Sequence, residues 1–103
     1  MVIVVTKAHN VYKSKKLIRI SLDYSDNNNN SSKVIQSIKI TGDFFLYPEE
    51  ALDILEANLI GTKMERDAIE RTIESSLVDC ETFGFDSGSL TDAIMGCLPP
   101  ARH

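Results

Sequence analysis

Between Ile40 and Glu50 the apolar residues change from period two to helical spacing, and no other stretch constrains the fold as tightly. Upstream, Val34, Gln36, Ile38 and Ile40 share one face of an extended segment, with Ile35, Ser37, Lys39 and Thr41 on the other, which predicts a strand. Gly42 interrupts it, supplying a backbone angle or a close approach that a side chain would forbid. Asp43 follows as a short turn acceptor, and Phe44 and Phe45 are expected to pack two rings beneath the turn. Pro48 suits a first helical position, and Glu49 and Glu50 fall where the helix dipole favours negative charge.

The chain before this corner reads as strands. Val2 to Tyr12 is rich in valine and isoleucine, and Ser14 with Lys15 marks a turn. In the second strand Ile18, Ile20, Leu22 and Tyr24 alternate with Leu17, Arg19, Ser21 and Asp23, so one face is buried and Arg19 lies on the other. Ser25 to Ser32 is an asparagine-rich loop whose side chains compete for their own backbone. It joins the second strand to the third, giving an antiparallel meander.

After the corner the period is helical. A first helix is expected from Pro48 to Ile60, with Leu52, Leu55 and Leu59 on one face and Gly61 as its left-handed cap. Thr62 and Glu65 have the spacing of a capping box for a second helix, which buries Ile69, Ile73 and Leu77 and pairs Asp67 with Arg71. Asp79 to Gly88 reads as a loop carrying Phe83 and Phe85 as satellite core. Ser89 and Asp92 then start a third helix, with Leu90, Ile94 and Leu98 buried and Pro99-Pro100 as its stop. The fold class is α+β: a three-stranded antiparallel sheet followed by three helices on one face, in two layers.

With 103 residues, 43% of them hydrophobic, residues 1–103 are expected to form a single domain. Met1 to Val5 is the longest apolar run, too short for a membrane span or a secretory signal, so no membrane partner and a cytoplasmic location are expected. Met1 itself suggests an independent polypeptide. Cys80 and Cys97 have only His9 and His103 for company and no metal-ligand spacing, so the expectation is two separately buried thiols and no metal site. The net charge of −4 is uneven. Up to Leu22 the chain carries Lys7, Lys13, Lys15, Lys16 and Arg19 and no acid, while the remainder holds all fifteen acids against six bases. That asymmetry reads either as a basic contact surface or as a solvated hairpin.

The order Gly42-Asp43-Phe44-Phe45, followed by Tyr47-Pro48-Glu49-Glu50-Ala51-Leu52, resembles the accessory domain of lipoate–protein ligases. Lys16-Leu17-Ile18-Arg19 resembles the family's basic hairpin, and Ile38-Lys39-Ile40-Thr41 the strand that leads into the glycine. Leu55-Glu56 with Leu59-Ile60-Gly61 matches its first helix. The resemblance spans Tyr12 to Leu98, and the Gly-Asp-Phe-Phe segment is its specific part. One departure is the lack of glycine at the turn near Ser14, which leaves the direction of Lys16 open.

In that family the domain is the C-terminal part of the ligase or the separate small subunit of a two-component enzyme. The resemblance therefore implies an accessory subunit that works with a large catalytic subunit. Together they would activate lipoate to lipoyl-AMP with ATP, and the lipoyl group would pass to a lysine of an acceptor domain. ATP, magnesium and lipoate are expected at the partner's site. The five glycines are scattered and form no phosphate loop, and no nucleophile–base pair stands out, so this chain is expected to bind no cofactor alone. Lys16 is the candidate cation for the polyphosphate, a strand-edge role being its structural alternative. Gly42, Asp43, Phe44 and Phe45 are candidates for shaping the corner or meeting the partner. Arg19, with Lys13 and Lys15, is a candidate for steering the partner or the acceptor domain. Two rival classes remain: a sulfur-carrier or iron–sulfur assembly scaffold, which needs a reactive thiol, and a nucleic-acid module, which the overall acidity opposes.

Overall fold

The computed structural model describes residues 3–13, 16–27, 33–84 and 86–98. Three long strands, β1 (Ile3–Lys13), β2 (Leu17–Asn27) and β3 (Lys33–Gly42), form an antiparallel meander in that order. A short strand β4 (Phe45–Tyr47) follows, then helices α1 (Glu50–Leu59) and α2 (Arg66–Ser76), strand β5 (Glu81–Phe83) and helix α3 (Ser87–Met95). The α+β order of strands before helices holds, with one addition. β4 and β5 pair antiparallel as a separate two-stranded ribbon, where the sequence pattern predicts only a corner and a loop.

Alternation in β2 works as predicted: Ile18, Ile20, Leu22 and Tyr24 are buried against the helices, and Arg19 and Ser21 are exposed. β3 adds Ile35, Ile38 and Ile40 to the core, and the helices add Leu55, Leu59, Ile69, Ile73, Leu90 and Ile94. Full burial of each such side chain stabilises the fold by about 1.5–3 kcal/mol relative to exposure. α1 rests on β3, α3 packs on β1 and β2, and α2 packs against both other helices. Asn10 donates to the Ala93 carbonyl at 2.9 Å and Tyr12 to the Asp92 carboxylate at 3.3 Å, which ties α3 to β1. Glu56 of α1 accepts from the Ile40 backbone N–H at 2.7 Å and satisfies a donor on the outer edge of β3.

Several local expectations are corrected. In β3, Ser37 pairs with Asp23 but Ile35 pairs with Tyr24, so Gln36 has no opposite residue. This bulge reverses the pleat, which is why Ile35 is buried with Ile38 and Ile40 while Gln36 is exposed. β2 also runs on through Ser25, Asp26 and Asn27, shortening the asparagine-rich loop. Pro48 precedes α1 instead of opening it: the Tyr47-Pro48 bond is cis and the helix starts at Glu50, with Asp53 as the second acid of its first turn. Leu52 is only half-buried, and Ala51 takes a place in the buried face.

The predicted Thr62–Glu65 capping box is absent for a physical reason. Thr62 to Met64 runs extended along the edge of β3, with Ile35 N–H donating to Thr62 O at 3.0 Å and Met64 N–H to Lys33 O at 2.8 Å. Pairing to the sheet leaves Glu65 at the helix cap, without a side-chain capping bond, and the Thr62 hydroxyl donates to the Asn58 carbonyl at 3.3 Å. The box belongs to α3: Asp86 accepts from the Ser89 N–H at 2.7 Å, and the Ser89 hydroxyl accepts from the Asp86 N–H at 2.9 Å. Asp67 and Arg71 make no ion pair among the described residues; Arg66 instead reaches across to Asp92 at 2.5 Å. Phe83 is in the ribbon and 62% exposed, not satellite core. The turn placed at Ser14-Lys15, the rest of the asparagine run, Phe85 and Pro99-Pro100 lie outside the described residues.

Candidate functional site

The corner after β3 is built on a backbone contact. Gly42 sits at φ +152°, and a Cβ there would collide with the Leu17 carbonyl oxygen, to which Asp43 N–H donates at 2.9 Å. Only glycine permits both the angle and the approach. The chain then turns out of the sheet into β4. Leu46 points inward and is buried, while Phe45 and Tyr47, 54% and 57% exposed, point outward.

β5 supplies the other half. Phe45 lies opposite Phe83, with ring centroids 6.1 Å apart and planes tilted by 55°, a geometry aromatic pairs favour. Phe44 is half-buried and packs against the core. The ribbon thus holds an outward aromatic group of Phe45, Tyr47 and Phe83. Beside it lies an open hollow of about 390 Å³ whose lining includes Ile40, Gly42, Phe45, Leu46 and Leu52.

Lys16 joins this group. Gly84 is at φ +96°, and a Cβ on it would meet Lys16 Cγ at 2.6 Å and the Phe44 Cα at 3.2 Å. The stem of Lys16 therefore lies over the end of the ribbon, in the space that the missing Cβ of Gly84 leaves.

Of the six residues singled out from the sequence, Lys16, Gly42, Asp43, Phe44 and Phe45 come together here. Arg19 does not. It faces the open side of the sheet between Val11 and Thr41, at a hollow of about 220 Å³ shared with His9, Ser21 and Lys39. Sequence reasoning missed Tyr47, Phe83 and Gly84 as members of the site. A Phe-Gly pair ahead of Asp86 was the available signal, but a three-residue strand paired across thirty-odd positions leaves no periodicity to read.

The cysteines stand apart from the corner. Burial pushes the Cys97 thiol up to about 11, and its S–H faces the Ala93 carbonyl at 3.9 Å. Cys80 is half-buried, with its S–H on Ser76 O at 3.9 Å. A thiol held protonated is a poor nucleophile, which weighs against the sulfur-carrier reading for Cys97. Among the described residues no group of three or more His, Cys, Asp or Glu side chains could hold a metal ion.

Residues 18–94 match the family described as bacterial lipoate protein ligase C-terminus. The chain belongs to that family. The matched span runs from β2 to α3 and contains the whole Gly42–Phe45 corner, the ribbon and Gly84. The chain is 41% identical over 56 residues to "Lipoate-protein ligase A subunit 2" of Thermoplasma acidophilum, covering 53% of each sequence. It therefore spans about half the length of that curated relative. It also resembles, with a TM-score of 0.71 and 28% identity, a chain in a structure described as a bi-partite lipoate protein ligase and its E2 lipoyl domain from Thermoplasma acidophilum. That superposition covers 88% of this chain and 97% of the other. The overall fold that carries the corner is thus shared with a chain of that bi-partite ligase structure.

Proposed function

We propose that this chain is the accessory small subunit of a two-component lipoate–protein ligase. It would serve with a large catalytic subunit in the ATP-dependent activation of lipoate to lipoyl-AMP, before lipoyl transfer to a lysine of an acceptor domain. The observation that carries the reading is the corner itself. The Gly42–Phe45 turn and its ribbon present the exposed rings of Phe45, Tyr47 and Phe83 near the Lys16 stem, in a chain of the ligase C-terminal family.

Exposed aromatic side chains grouped on one rim are the composition of protein–protein anchor points. Docked there, the subunit would wall off the partner's adenylate site, exclude water and hold a loop in its productive position. Lys16, at the same rim, would bring a cation toward the developing negative charge of the polyphosphate. ATP, lipoate and magnesium belong to the partner's site in this reading. No helix among the described residues is long and apolar enough to cross a membrane.

The test is reconstitution. The large subunit mixed with this chain should catalyse lipoate-dependent exchange of pyrophosphate into ATP, and the large subunit alone should do so poorly. Equal exchange with and without the chain would end the proposal.

A further inference from the structure

The helices cover one face of the β1-β2-β3 sheet, and the other is open. Its outward residues form a grid set by the strand register. Lys7, Asp23 and Ser37 make one row, His9, Ser21 and Lys39 the next, and Val11, Arg19 and Thr41 the third, with Lys13 beyond. All are exposed except Asp23, which is half-buried. Asp23 is the one acid in the grid and is already engaged, by Lys7 at 3.6 Å and by the Ser37 hydroxyl at 3.1 Å. Lys13, Arg19 and Lys39 make no ion pair among the described residues. The opposite layer has the reverse sign: Glu49 to Asp92 carries twelve acids against Lys63, Arg66 and Arg71. Folding has converted the charge asymmetry of the sequence into two faces.

We infer that this open face is a second docking surface, for an acidic folded protein domain, and that its occupant is the lipoyl acceptor domain. The inference rests on the ligase reading above. Three observations favour a transient protein partner over other anionic occupants, and the acceptor domain is the one the ligase reading supplies. Lys7 and Lys13 are six residues apart on one strand, so the cations spread over about 20 Å and no single phosphate group engages them all. Sheets that bind single-stranded nucleic acid stack bases on outward aromatic rings, and the described residues of this face include no Phe, Tyr or Trp. The two surfaces also differ in kind. The aromatic corner suits a lasting partner, whereas a polar, charged face gives fast, salt-sensitive encounter, as needed by an acceptor that must leave after each transfer.

The experiment uses the reconstituted two-subunit ligase and the apo E2 lipoyl domain of the same organism, with lipoyl transfer followed against acceptor concentration. The Lys7→Gln/Lys39→Glu double variant should raise the acceptor KM at least fivefold at low salt and leave kcat unchanged. Pyrophosphate exchange should also stay unchanged, and a tenfold rise in salt should erase the difference. An unchanged acceptor KM with exchange intact overturns the inference and leaves the ligase reading standing. Loss of any need for the chain in the exchange reaction overturns the ligase reading instead. Charge-dependent self-association, or tight binding of an RNA oligonucleotide or of anionic vesicles abolished by the same substitutions, would assign the face to another occupant. Circular dichroism confirms that the variant is folded, as expected for two exposed positions.

Discussion

The stem of Lys16 lies across Gly84, so close that a methyl group at position 84 would come within 2.6 Å of Lys16 Cγ. The Phe44 backbone closes the other side at 3.2 Å. A lysine from the sheet's basic hairpin is thereby brought against a glycine that follows the ribbon, 68 positions later. Lys16→Ala removes the charge from an exposed position, so stability should change by no more than about 0.5 kcal/mol. Exchange of pyrophosphate into ATP should fall about tenfold or more. Unchanged exchange at saturating subunit concentration would take Lys16 out of the mechanism.

Gly84→Ala acts on the same contact from the other side. The positive φ should cost about 1–2 kcal/mol, read as a lower urea midpoint. The lysine stem must also swing away, because it is the flexible partner. Exchange activity measured where the variant is fully folded should therefore drop toward the Lys16→Ala level. A variant that is destabilised but fully active would mean that the position of the stem is immaterial.

The aromatic rings separate stability from association. Phe45 and Phe83 are more than half exposed, and their mutual contact is of the kind that contributes about 0.5–1.5 kcal/mol. Phe45→Ser/Phe83→Ser should lower the unfolding free energy by about that amount. Its affinity for the large subunit should fall at least tenfold, since anchor residues typically carry 2 kcal/mol or more. Titration calorimetry against the large subunit reads the second effect and urea unfolding the first. Equal affinities would place the partner elsewhere on the molecule.

The strand pattern was legible in the sequence because local periodicity and burial agree: Ile18 to Tyr24 alternate, and every second residue is buried. The β3 face failed at Gln36, since a bulge is set by the partner strand and not by the strand's own pattern. Within the site, Gly42 to Phe44 were readable because adjacent residues make the turn, whereas Phe45, expected beneath it, points outward because pairing with β5 sets its face. Tyr47, Phe83 and Gly84 were not, because their roles come from a ribbon that joins distant segments. The segment from Thr62 to Glu65 shows the limit most clearly: its spacing satisfies a capping rule, yet its backbone is committed to the β3 edge.

That commitment gives a paired prediction. Asp86 accepts the Ser89 N–H at 2.7 Å, so Asp86→Ala should cost about 1 kcal/mol in urea unfolding. Thr62→Ala removes only an exposed hydroxyl bonded at 3.3 Å to the carbonyl four residues back, and should change stability by less than about 0.5 kcal/mol. The reverse order of the two values would mean that α2, not α3, depends on its cap.

Cys97 provides a pH dependence whose sign follows from its burial. The thiol titrates at about 11 in the folded chain against an ordinary value of 9.0. Below pH 9 the group is protonated in both folded and unfolded chains, and its contribution to stability is complete. Between 9 and 11 the unfolded chain loses the proton while the folded chain keeps it, so the unfolded state is favoured and stability falls as pH rises. Above 11 both forms are ionised and the loss levels off. Cys97→Ala should remove this alkaline slope while leaving the other titrations in place, as read from urea midpoints collected from pH 8 to 11. The same burial predicts that iodoacetamide at pH 8 modifies Cys97 far more slowly than a free thiol in the folded protein, and at the free-thiol rate in urea. Fast modification of Cys97 in the folded state would reopen a thiol-based role for the chain.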